Sequence, residues 1–293
     1  IEGLEFEDDN LSPEIALNYY LNDNTSVYVA YKKAFKSGGI DNSALPTASI
    51  NPLSPTFEGF DALIYDSEEA DGFEIGLKSN LFDNNMRINA TYYKYEYTDL
   101  QVQLFDASII QFSTFNAGAV ETEGFEADML WYTDIEGLTL RGQFAWTDAV
   151  NTGDFFNTSG VNLKGSERSY SPEIAGSLGL SYDSSLFSGW RYTFSTDARY
   201  SDDYAWGVYR NSPRQDSYWI NDAAISIYSE DGKHSINLIG RNLGDEIVIV
   251  TGGSTPGRIG TRTVPGIEAA LLQDQNVTTQ QGRTVTLQYK YKM

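Results

Sequence analysis

The chain has 293 residues, 41 of them acidic and 20 basic, for a formal net charge of −21, with one histidine and no cysteine. That balance excludes nucleic acid as a primary partner, which needs a basic footprint, and the missing thiols exclude disulfides, thiolate metal centres and a cysteine nucleophile. Only 41% of residues are hydrophobic while 14% are aromatic; no run approaches the roughly 18 apolar residues of a membrane-spanning helix, so any membrane crossing must use strands.

Runs of period two bounded by turn residues predict strands near 14–20, 25–34, 72–80, 86–103, 118–132, 137–149, 173–182, 190–201, 217–228, 235–243 and 283–291. The connectors alternate in length. Asn22–Asn24, Phe82–Asn85, Thr133–Glu136, Asp183–Gly189 and Glu230–Lys233 are short and rich in turn residues, and the five between them are longer, up to the stretches near 35–71 and 244–282. Ser12-Pro-Glu-Ile-Ala and Ser171-Pro-Glu-Ile-Ala each stand before a strand that follows a long connector, where proline is tolerated as a strand opener.

The strand faces differ in kind. In 190–201, Trp190, Tyr192, Phe194, Ala198 and Tyr200 oppose Arg191, Thr193, Ser195, Asp197 and Arg199; in the last strand Val285, Leu287, Tyr289, Tyr291 and Met293 oppose Thr284, Thr286, Gln288 and Lys290. Aromatic outside and charged inside is the pattern of an all-β, transmembrane, antiparallel up-and-down β-barrel, and sorting of connector length by parity fits tight turns at one membrane face and long loops at the other. Phe125 and Trp131 join the lipid-facing set. About eleven strands is an odd number, whereas bacterial single-chain barrels close on even ones. The chain is therefore expected to be half of a 22-stranded barrel whose first and last strands do not pair with each other.

Four segments carry a resemblance: Tyr28-Val-Ala-Tyr-Lys-Lys-Ala-Phe-Lys-Ser-Gly-Gly, Gly72-Phe-Glu-Ile-Gly-Leu-Lys-Ser, Asn116-Ala-Gly-Ala-Val-Glu-Thr-Glu-Gly-Phe-Glu and Gly240-Arg-Asn-Leu-Gly-Asp-Glu. In order and spacing they resemble the barrel of TonB-dependent outer-membrane receptors, over nearly the whole chain. The chain departs from that pattern in ending on Met293, where such barrels usually end on Phe. The resemblance implies that residues 1–293 are the C-terminal part of the barrel, with the plug domain and the energy-coupling segment upstream. It implies a location in the outer membrane of a Gram-negative bacterium, and contacts with outer-membrane lipid and lipopolysaccharide. The further partners would be the missing barrel half, the plug and an inner-membrane TonB-type protein. The implied function is energised uptake of a scarce nutrient, either chelated iron (a siderophore complex) or another metal, or an oligosaccharide; the alternative is a passive porin-like or surface-interaction barrel. No cofactor is implied.

Candidate residues divide by place. Arg141, Arg191, Asp197, Arg199 and Arg241 share the polar face, as mutual ion pairs or as contacts along a transport path. Tyr204, Trp206, Tyr209, Arg210 and Arg214 crowd rings and guanidinium groups into the connector 202–217, either as a ligand-capturing surface or as interfacial girdle. Gly252-Gly-Ser-Thr-Pro-Gly257 lacks the Lys-Ser/Thr of a phosphate loop, with Arg258 and Ile259 in those places. The acidic run Asp66–Asp71 lacks the spacing of a calcium loop and is expected to be a solvated loop, and His234 falls at a turn rim. Nothing combines a nucleophile with a base, so no enzyme is expected and no resident metal site is assigned.

Overall fold

The computed structural model describes residues 6–41, 63–106, 111–156, 160–207, 213–254 and 275–292. In chain order the strands are β1 (Glu14–Asn22), β2 (Thr25–Lys36), β3 (Gly39–Ile40), β4 (Ile64–Tyr65), β5 (Glu68–Leu81), β6 (Met86–Asp106), β7 (Gln111–Tyr132), β8 (Leu138–Asn151) and β9 (Ile174–Phe187). They continue with β10 (Trp190–Ser201), β11 (Tyr204–Ala205), β12 (Arg214–Gln215), β13 (Tyr218–Ser229), β14 (His234–Arg241), β15 (Ile249–Ser254), β16 (Gln275–Thr279) and β17 (Thr284–Tyr291). Eleven of them form one sheet in the order β1-β2-β5-β6-β7-β8-β9-β10-β13-β14-β17. Each of its strands pairs antiparallel with its neighbour. These are the eleven expected strands. The remaining six strands form three short ribbons, β3-β4, β11-β12 and β15-β16, inside connectors that carry no long period-two run.

Register makes the sheet two-faced. One row runs Leu17, Val29, Ile75, Tyr92, Phe125, Trp146 across β1 to β8, and another runs Tyr182, Phe194, Ile225, Leu238, Leu287 across β9 to β17. All lie on one face, since pairing partners share a side and the side-chain period is two. Many of these side chains are open: Leu17 and Leu287 are each 73% exposed and Leu178, on the same face, 64%. The opposite face carries Asp183, Thr193, Ser226, Asn237 and Gln288 in one row. Several hundred Å² of contiguous exposed apolar surface is already unusual on a water-soluble protein. This face is greasy over eleven strands.

Rings mark both borders of the apolar face. At the turn end Phe187, Trp190, His234 and Tyr291 form one series, with ring centroids 6.1 Å apart for Phe187–Trp190 and 5.1 Å for His234–Tyr291. At the loop end Tyr200 lies 5.1 Å from Trp219. From Trp190 to Tyr200 is ten strand steps; at about 3.3 Å per residue and a tilt of about 40° this spans ~25 Å, the height of the apolar band of an outer-membrane barrel.

Five short turns close one end of the sheet, with Gly189 (φ 78°) and Gly232 (φ 70°) in the left-handed region. Two expectations need correction here. The acidic run Asp66–Asp71 is not a solvated loop from Glu68 on: these residues open β5, where Glu69 pairs with Lys33 of β2 at 2.8 Å. The connector expected at 183–189 shrinks to its last residues, because Asp183 pairs with Arg191 across the hairpin and keeps β9 extended to Phe187. In both places a cation on the neighbouring strand holds an acidic residue of a type depleted in strands. Finally, among the described residues β1 and β17 each have a partner on one side only, and no ladder joins them.

Candidate functional site

The polar face carries a series of hydrogen-bonded and ion-paired groups. Tyr28 packs over Gly76, its partner in register, and its hydroxyl meets Thr91 Oγ1 at 3.0 Å; a Cβ at Gly76 would collide with the ring. Glu74 accepts from Tyr95 Oη at 2.6 Å and from Lys32 Nζ at 3.0 Å. The four arginines and one aspartate singled out on this face fall as follows. Arg141 donates to Asp197 at 3.2 Å, and Arg199 donates to Asp222 at 2.8 Å with Asp197 4.0 Å away. Arg191 bonds to Asp183, which also accepts from Thr193 and Tyr228. Arg241 is exposed at the loop end of β14, opposite Thr284. Beside these pairs lies a recess of about 650 Å³ whose polar wall includes Asn89, Glu126, Asp128, Gln143, Ser177 and Arg199. Each wall residue is placed by strand register and needs no loop to hold it.

Above the loop end three connectors interlock. Tyr170 N donates to Ala205 O at 2.7 Å, Gly252 N to Tyr170 Oη at 3.1 Å, Tyr204 Oη to Ile249 O at 2.9 Å and Ile249 N to Gln215 Oε1 at 2.9 Å. The rings of Tyr170 and Tyr204 stand 6.0 Å apart. Tyr204 is 7% exposed and Trp206 4%, so these two candidates are packing elements of the loop assembly; Trp206 seats against Gly252, where a Cβ would strike the indole. Trp206 Nε1 is buried with no hydrogen-bond partner among the described residues. Burial first, then Tyr218, pushes the Tyr204 phenol up to about 12.

Arg214 clamps this assembly by bonding to Glu167 and, at 2.5 Å, to Asp203. Its bond to the Glu167 carboxylate is the main influence holding its pKa above the usual guanidinium value. Tyr209 and Arg210, singled out with them, lie outside the described residues, as do Gly257, Arg258 and Ile259 of the glycine-rich stretch and Met293. His234 sits at the turn rim, Nδ1 2.9 Å from Tyr289 Oη. Sequence reasoning missed Tyr170, Gln215 and the segment 166–169; Gln215 meets Ile249 34 positions away, Ser169 meets Gly207 38 away and Tyr170 meets Gly252 82 away, while Ser166 and Arg168 fold back on Asn151. Among the described residues no group of three or more His, Asp or Glu side chains is placed to hold a metal ion.

Comparison with known proteins bears on this arrangement. Residues 3–243 match the family model described as TonB dependent receptor-like, beta-barrel. Among solved structures, the fold is similar to the ferric yersiniabactin uptake receptor FyuA from Yersinia pestis, at 16% identity and TM-score 0.70 over 95% of this chain and 36% of that one. It is also similar to the siderophore receptor PiuA from Acinetobacter baumannii (21%, TM-score 0.65, 95% of this chain, 35% of that one) and to BauA, the ferric preacinetobactin receptor of the same species (17%, 0.63, 96%, 36%). At such identities the likeness is one of fold. The chain spans about a third of the length of these structures. A search of curated proteins found no match.

Proposed function

The chain belongs to the TonB-dependent receptor-like β-barrel family, and from that premise we propose that it supplies half the wall and several ligand-facing loops of an energised outer-membrane receptor. In this reading residues 1–293 are the C-terminal part of a 22-stranded barrel. The remaining strands and the plug come from the rest of the protein, and an inner-membrane TonB-type protein drives transport through a segment of that remainder. The exposed apolar face meets outer-membrane lipid, the polar face lines the lumen, and the interlocked loops lie outside the cell. The observation that carries the reading is the two-faced eleven-stranded sheet with tight turns at one end and interlocked loops at the other, a combination that a water-soluble sandwich has no reason to build.

The cargo is a scarce nutrient, with a chelated metal ahead of an oligosaccharide because the similar structures are named as receptors for ferric chelates and siderophores. The reading needs no bond-making chemistry. Selectivity would come from differential binding by several loops together. The test is accumulation of radioiron, presented as a panel of siderophore complexes, by cells carrying the intact gene with and without a working TonB-type protein. Accumulation that needs both supports the proposal. Equal accumulation without the energising protein would leave a passive pore, and growth on an oligosaccharide that depends on the gene would move the cargo to the other class.

A further inference from the structure

Arg168 stands apart from the paired arginines. Arg141, Arg191, Arg199, Arg214 and Arg283 each have a carboxylate within 4.0 Å. Arg168 has none among the described residues and, unlike Arg87 and Arg241, which also lack one there but are exposed, it is partly buried; its guanidinium donates to one neutral acceptor, Asn151 Oδ1, at 3.1 Å. Burial lowers its pKa, and the acid that acts on it from a distance is Glu68, whose carboxylate accepts from Gln101 N at 2.8 Å. The neighbouring Glu167 is committed to Arg214. A desolvated guanidinium without a counter-charge is costly, and five N–H donors are poorly served by one amide oxygen.

The surroundings say where a counter-charge would go. Arg168 N donates to Ala149 O, and the bridge Val150–Glu167 fixes the register of this segment against the end of β8. Glu167 thus shares the side of Val150, and residue 168 shares the opposite, polar side with Asn151. Arg168 lines a cavity of about 60 Å³ together with Asn151, Ser166, Glu167, Ser169 and Gly207, the Glu167 carboxylate being held by Arg214. At about 30 Å³ per water, that is room for roughly two waters or one carboxylate group. The two serine hydroxyls are occupied, Ser166 donating to Leu163 O and Ser169 to Gly207 O, so the free donors here belong to the guanidinium.

We propose that Arg168 is an oxyanion receptor at the loop end of the lumen, taking a carboxylate of the transported solute as a two-pronged guanidinium–carboxylate pair. This deepens the receptor reading given above and rests on it. The cation is already stripped of most water, so an arriving carboxylate meets a preorganised donor pair, and a neutral solute of the same shape would leave the charge unmatched.

The experiment uses the intact full-length receptor in detergent, treated with the arginine reagent phenylglyoxal in the presence of acetate, of inorganic phosphate, or of acetamide as the uncharged isostere. Peptide mass spectrometry reads the adduct at Arg168 against that at exposed Arg241. Protection follows 1 + [L]/Kd, so acetate at about four times its dissociation constant should lower the Arg168 adduct about fivefold and leave Arg241 unchanged. Acetamide should do nothing, and Arg168→Lys, which keeps the charge but loses the fork, should bind acetate more weakly in direct titration. No protection by acetate, or equal protection by acetamide, overturns the proposal; protection by phosphate alone overturns the carboxylate assignment. Failure of radioiron uptake with Arg168 still protected would count against the receptor reading and not against the site.

Discussion

The sheet and the loop assembly above it bury opposite things. In the sheet, large apolar side chains are open, Leu178 at 64% and Leu287 at 73%, and charges are paired on the other face. In the loops the order is that of a water-soluble domain: Phe155, Leu163, Tyr204, Trp206 and Val248 are buried, while the ion pairs of Arg214 sit at its surface. One chain thus folds for two solvents within about a hundred residues on either side of β9. The hydrophobic effect builds the loops but cannot hold the sheet's apolar face, which has no other described residues against it; there the ladder bonds and the polar face hold the strands, and in the receptor reading proposed above lipid supplies the contacts.

Substitutions can break that contrast. Trp206→Ala should have the largest effect, destabilising the loop assembly locally by about 3–5 kcal/mol, as for other buried aromatics, and without impairing barrel assembly. Loss of amide-exchange protection in 165–171 and 248–252, with the strands still protected, would be its signature; loss of protection throughout would mean that the two regions are one cooperative unit. Next comes Leu178→Arg, which should cost about 2–4 kcal/mol near the bilayer midplane, measured by reversible folding into lipid vesicles, whereas Leu178→Ala should cost far less because lipid refills the space. If both behave alike, the exposed face is not in lipid.

A smaller effect comes from pH. Tyr204 titrates near 10 when unfolded and is raised to about 12 when folded, so its contribution is complete below pH 10 and lost as pH rises from 10 towards 12. Loop exchange protection should fall over that window in the natural chain and much less in Tyr204→Phe. Smallest is Arg199→Gln on the polar face: its side chain is 54% exposed, and a pair in that setting contributes roughly 0.2–1 kcal/mol, so vesicle-folding stability should barely move.

The sheet was legible in the sequence because period two is a local property, readable within eight or ten residues, and its register follows from which face is apolar. The strand ends were less legible. Asp183 and Glu69 look like loop residues until Arg191 and Lys33 reach them diagonally from the neighbouring strand, and an ion pair across strands cannot be seen one segment at a time. In the loops, the crowding of rings at 204–206 did mark an unusual place, yet that Tyr204 and Trp206 face inward depends on Tyr170, Ile249 and Gly252. Those residues lie on two other connectors, and no periodicity links them.

The direction of the two sheet edges has one more consequence. With eleven antiparallel strands, β1 and β17 run the same way, so they could meet only as a parallel pair, and so would the edges of two copies standing upright side by side. An inverted copy would match the hydrogen bonds but send its loops to the wrong membrane face. Dimerisation is therefore no route to a closed antiparallel cylinder. Whatever completes this wall with antiparallel joints must contribute an odd number of strands, beginning and ending with ones that climb from turn end to loop end, and the smallest insertion able to seal it is a single climbing strand.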